Sequence, residues 1–168
     1  MRCPEAKVGS PRCCRRHPAP GTVATGLCRV IGKVRRVRLD YTIVADFAQA
    51  LPDGKFTIVG GGVDYVNLPA VPGMVPLLSF VCRLVWEALD PTEMEVSIDL
   101  TDPDGEPVIP PFQQLARRKG SDENEGLMIV LSFSALSLAR NGTYTFGVYL
   151  QGQKVGQNMF KTRLMGAN

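Results

Sequence analysis

Glu93-Met94-Glu95-Val96-Ser97-Ile98-Asp99-Leu100-Thr101 decides the fold class of this chain. Every even-numbered residue in it is apolar and every odd-numbered one is polar. Successive side chains of a strand point to opposite faces, so this pattern offers one face to a core and the other to water. Residues 143–150 repeat it with Tyr144, Phe146, Val148 and Leu150.

Similar runs lie outward from these two, separated by turn signals at a spacing of roughly 8–12 residues. A first strand is expected over residues 39–51, with Tyr41, Ile43, Ala45 and Phe47 on one face. Pro52-Asp53-Gly54 turns it into a second strand from Lys55. Phe56 and Ile58 share one parity, Val63 and Tyr65 the other, and Gly60-Gly61-Gly62 stands at the switch. A bulge adds one residue and flips parity, so a bulge is expected there.

Residues 69–76 read as a loop. Leu78, Phe80, Cys82, Leu84 and Trp86 alternate as a strand. Pro107, Pro110 and Pro111 read as a stiff extended edge, residues 116–126 as a charged loop, and Leu127, Ile129, Leu131 and Phe133 as a further strand. Tyr144, just after the Asn141-Gly142 turn and heading a strand, has the sequence setting of a tyrosine corner. A last hairpin turns at Gln151-Gly152 and ends near Phe160. The sum is an all-β, immunoglobulin-like antiparallel β-sandwich of about seven to eight strands over residues 37–163, with a short tail at 164–168.

The net charge of +3 conceals two unlike parts. Residues 1–38 hold ten Lys or Arg against Glu5, 10 − 1 = +9; the rest hold nine against fifteen acids, 9 − 15 = −6. All twelve aromatics follow residue 38, while four of the five cysteines and the single histidine, His17, precede it. A segment without aromatics or periodicity cannot bury enough surface to offset its ordering entropy, so residues 1–36 are expected to be disordered. Three readings compete for this basic Cys/Pro/Arg-rich segment: translated sequence ahead of the true start, ranked first; an arm for nucleic acid or anionic lipid; and a targeting peptide. Neither a secretory signal nor an apolar run near ~20 residues is present, so no membrane partner is expected. Cys82, in register with apolar neighbours, reads as a filler in a reducing, cytoplasmic setting.

Val44-Ala45-Asp46-Phe47-Ala48-Gln49, then Asp53-Gly54-Lys55, then Ile58-Val59-Gly60-Gly61-Gly62-Val63-Asp64 resemble the opening of a family of bacterial proteins of unknown function. Its members carry an AD-x-A-Q … GK … GGG hairpin and a closing G-x-Y-x-F-x-V hairpin, which Gly142 to Leu150 matches. The resemblance spans roughly residues 37–163. It implies a fold and supplies no catalytic residue.

Asp46 is the leading candidate for a binding site, because a carboxylate in an apolar strand is costly unless exposed or paired. Gln49 and Asp64 could extend a polar cluster with it; the duller reading, a solvent-facing or amide-holding Asp46, ranks higher. Gly60-Gly61-Gly62 lacks the following helix of a phosphate cradle. Asp99, Asp102, Asp104 and Glu106 suit turn chemistry better than a calcium cage. Cys13, Cys14, His17 and Cys28 lack zinc spacing. Arg117-Arg118-Lys119 reads as a solvated loop. No Ser–His or Cys–His pair can form in the body, so no catalytic residue, metal or cofactor is assigned and the reading leans away from an enzyme. The leading expectation is a non-enzymatic module that binds a protein or another copy of itself, with Pro-rich edges available for pairing. A small-ligand or hydrolytic site near Asp46 and Asp64 is the alternative. Nucleic-acid binding through the basic segment ranks last.

Overall fold

The computed structural model describes residues 37–52, 55–87, 90–118 and 126–166. The expected disorder of residues 1–36 lies outside them. Among the described residues nine strands form: β1 (Arg38–Ala50), β2 (Phe56–Gly61), β3 (Tyr65–Leu68), β4 (Gly73–Val85), β5 (Glu93–Thr101), β6 (Phe112–Arg117), β7 (Gly126–Leu138), β8 (Thr143–Leu150) and β9 (Gln153–Leu164). They make two sheets, ordered β2-β1-β4-β7 and β3-β9-β8-β5-β6. β1, β4 and β7 thus share one sheet and β5, β8 and β9 the other. This is the immunoglobulin-type split of strands A, B, E from C, F, G.

Between the sheets the alternation places its apolar parity as expected. Met94, Val96, Ile98 and Leu100 of β5 face Leu78, Phe80, Cys82 and Leu84 of β4 within one buried core, with Tyr144, Phe146 and Val148 of β8. Phe146 is the hub, stacked on Phe80 at 4.5 Å, on Phe133 at 5.8 Å and tilted against Phe160 at 6.1 Å. Such aromatic pairs add about 0.5–1.5 kcal/mol each beyond the area they bury. Phe146 stands two residues after Tyr144, where antibody domains carry the second cysteine of their inter-sheet disulfide. The Phe80–Phe146 stack joins the sheets there instead.

The tyrosine corner forms. The Tyr144 hydroxyl donates to the Arg140 carbonyl at 2.8 Å and accepts from the Arg140 N–H at 3.0 Å. Thr162 of β9 locks the same corner, its hydroxyl accepting from Gly142 N–H and donating to the Asn141 side chain, both at 2.8 Å.

Three expectations are corrected. First, the glycine triplet is not a bulge. The β1–β2 ladder keeps one register from Ala50↔Phe56 to Ala45↔Gly61. Parity changes because the chain leaves one sheet after β2 and enters the other as β3. Gly62, at φ +85°, opens that crossing, while Gly60, at φ +63°, lies within β2 opposite Asp46. β3 arrives alongside β9 in parallel, the single parallel pair among the described strands. The ladders shift register elsewhere, between Leu39 and Tyr41 and between Val148 and Tyr149.

Tyr41, Ile43, Ala45 and Phe47 share a face as expected, and Tyr41, Ile43 and Ala45 pair with Arg83, Val81 and Ser79 on the outer side of the sheet. Val44, of the other parity, enters the core. Beyond Ala45, β1 stops pairing with β4 and folds across its outer face. Ala48 N–H donates to the Ser79 hydroxyl at 3.0 Å, and the Ser132 hydroxyl donates to the Ala48 carbonyl at 3.1 Å. Ser79 is 0% exposed beneath this overhang, although it points away from the core.

Second, the prolines do not form an edge. Pro107 makes one isolated bridge to Thr101, and Pro110 and Pro111 precede β6. Third, the loop expected at 69–76 ends earlier, because β4 begins at Gly73.

Candidate functional site

The residues singled out around the first hairpin lie along it rather than in one cluster. Asp46 sits on β1 against Gly60, where a Cβ would collide with its carboxylate. Gln49 pairs with Thr57 farther up the overhanging arm. Asp64 lies beyond the crossing, its carbonyl accepting from Lys161 N–H at 2.9 Å. All three are exposed. Only Asp64 lines the cleft at this end, a space of about 340 Å³ whose walls include Thr42, Val44, Ile58, Val63 and Asn158. The Asn158 amide is already committed to the Thr42 carbonyl and hydroxyl, at 3.1 and 3.2 Å. The Val44 carbonyl is committed to Gly62 and Val63 N–H, at 2.9 and 3.0 Å. Among the described residues that line this cleft, Asp64 is the one ionisable group.

The acidic turn after β5 is occupied by its own backbone. One Asp102 oxygen accepts from Asp104 and Glu106 N–H, both at 2.9 Å, and the other meets Arg140 at 3.3 Å. Arg140 also pairs with Asp104. Asp99 lies apart, on the outer face of its sheet, accepting from Gly147 N–H at 3.1 Å. Among the described residues no three metal-ligating side chains converge. Cys13, Cys14, His17, Cys28 and the basic segment offered to nucleic acid lie outside the described residues. Arg117 closes β6 in an ion pair with Glu93 at 3.0 Å, and the Arg118 guanidinium donates to the Glu87 carbonyl at 3.3 Å.

Two features were not read from the sequence. Asp99 and Tyr149 meet over Gly147, where a Cβ would strike both side chains. Burial, then the hydrogen bond and charge of Asp99, push the Tyr149 phenol above its ordinary pKa. The signal was present in the alternation, which puts residues 99, 147 and 149 on one outer face; the cross-strand register was not.

The second feature is the outer edge of β7. Edge strands expose a row of unpaired N–H and C=O groups and are usually short, charged, bulged or proline-bearing. β2, β3 and β6 follow that rule with six, four and six residues. β7 has 13, reading Gly-Leu-Met-Ile-Val-Leu-Ser-Phe-Ser-Ala-Leu-Ser-Leu, with no charge and no proline. Among the described residues only β4 pairs with it. Leu127, Met128, Val130, Leu131 and Phe133 are half-buried there.

Two sheets of this strand order, closed by a tyrosine corner around an aromatic core, define an immunoglobulin-like β-sandwich domain. The chain belongs to a family of unknown function (DUF6941), whose model matches residues 40–162. Among solved structures, an immunoglobulin-like protein from Pseudomonas aeruginosa is similar at 13% identity and a TM-score of 0.42, over 79% of this chain and 100% of that one. The alkylpurine DNA glycosylase AlkC of Pseudomonas fluorescens, bound to DNA containing an abasic site analog, is similar at 13% identity and a TM-score of 0.41. That match covers 76% of this chain and 30% of the glycosylase, so the present chain spans less than a third of its length. No curated protein matches. Among the described residues no helix is long and apolar enough to cross a membrane.

Proposed function

We propose that this domain is a non-enzymatic binding module that takes up a strand of a protein partner, or of a second copy, along the open edge of β7. The observation that supports this most is the 13-residue edge strand free of charge and proline. Strand addition uses main-chain hydrogen bonds for affinity and alternate side chains for specificity, and β7 offers both. Cys82 supports a reducing, cytoplasmic setting: it is a free thiol, fully buried, in a domain whose sheets are joined by aromatic rings.

The test is hydrogen exchange on the full chain at low and high concentration, and with an added nine-residue apolar peptide flanked by lysines. Amides of residues 126–134 should gain protection when the edge is occupied. Unchanged exchange there under every condition would exclude strand addition at β7.

A small-ligand reading rests on the cleft beside Asp64. Its polar wall groups are mostly spent on internal hydrogen bonds, which leaves one carboxylate to recognise a cationic or hydroxyl-bearing molecule. Hydrolysis by paired carboxylates needs two converging acids, and Asp46 does not line this cleft.

A further inference from the structure

We infer that the occupant of the β7 edge is the same edge of a second copy, paired antiparallel about a two-fold axis at Val130; this rests on the strand-addition reading above. Two observations and one rule of symmetry lead there. Ala135 has φ +54°, a conformation side chains rarely adopt, opposite Pro76 on β4. The pairing of β4 with β7 omits that position. The straight part of the edge is therefore residues 126–134, and its midpoint is Val130.

Next, this segment is compatible with its own reverse. Centred on Val130, the pairing sets Leu127 against Phe133, Ile129 against Leu131, and Met128 against Ser132 of the other copy. Leu127, Ile129, Leu131 and Phe133 share the inner face, because they pair with Leu84, Cys82, Phe80 and Leu78. Each inner residue thus meets an inner residue, and the core of one sandwich continues into the next. Met128, Val130 and Ser132 do the same outside. No like charges oppose each other in this register, since the segment carries none.

Last, closure is automatic. An edge that pairs with itself about a two-fold uses itself up, whereas a head-to-tail contact would leave a further edge. The product is one continuous sheet of eight strands, four from each copy.

Light scattering after size exclusion of the full chain across a wide dilution series reads the assembly. A dimer is expected at high concentration. Val130→Lys places two ammonium groups opposite each other at the axis and should weaken the dimer on the order of ten-fold or more. Far-ultraviolet dichroism checks that the variant folds. A second pair of variants reads the register without depending on Val130→Lys. In a chain with Cys3, Cys13, Cys14 and Cys28 replaced by serine, Val130→Cys should cross-link the two copies under mild oxidant. Met128→Cys should not, because its counterpart lies on the far side of the axis. A monomer at every concentration overturns the inference. So does a dimer in which both cysteine variants cross-link equally, or in which neither does. If the monomer result comes with protection of residues 126–134 by the added peptide, the edge still binds strands and only the self-pairing falls.

Discussion

Tyr144 ties the β7–β8 corner with one hydroxyl that both donates to and accepts from Arg140. Tyr144→Phe leaves those backbone groups without their partner, at a cost of about 1–3 kcal/mol. Urea unfolding should show a lower midpoint with an unchanged slope; an unaltered midpoint would mean the corner contributes nothing. Cys82 behaves as apolar filling, and burial pushes its thiol up to about 12. It should react with thiol reagents only once the domain is unfolded, because the thiolate is the nucleophile. At Tyr149 the folded pKa lies above that of a free phenol. The folded state therefore holds this proton more tightly than the unfolded chain does. The associated stability is whole below the ordinary tyrosine pKa and is lost as pH rises through the folded one. Phenolate absorbance, taken as the difference from Tyr149→Phe, should titrate late. Asp99→Asn should move it part of the way back, since burial persists.

At the scale of elements, the overhang of β1 is held by two hydroxyls with partners far away in sequence. Ser79→Ala removes the acceptor for the Ala48 N–H, in a place where the serine is wholly buried. The expected loss is about 1–3 kcal/mol. Hydrogen exchange should also rise at Ala48 relative to Val44, which is in the regular ladder; equal rates would show that the arm is held by something else. Neither serine was legible as a structural residue, because each sits at a polar position of a strand that reads as solvent-facing. The glycine triplet shows the same limit from the other side. Its parity flip was visible, yet a bulge and a change of sheet produce the same flip along the chain. They differ only in what the strand pairs with next. Asp46, likewise, was legible as an odd carboxylate, while its placement over Gly60 depends on the register of β2.

For the molecule as a whole, the two sheets are joined through Phe146 and the rings around it. Phe146→Ala should cost about 3–5 kcal/mol, the range for an aromatic removed from a core, and more than Tyr144→Phe. Denaturant unfolding that ranks the two in the opposite order would place the centre of cohesion at the corner rather than in the stack. The amino-acid sequence alone determined the all-β class, the parity of β4, β5 and β8 that enters the core, and the setting of the tyrosine corner. Each of these depends on residues within a few positions of one another, because alternation is a property of neighbours. Tertiary structure alone decided which sheet each strand joins, that residues 56–68 divide between two sheets, that Ser79 is covered from outside, and that β7, among the described residues, is a long edge strand without charge or proline. A strand is an edge only because no other strand lies beside it, and that is settled by pairings between distant parts of the chain.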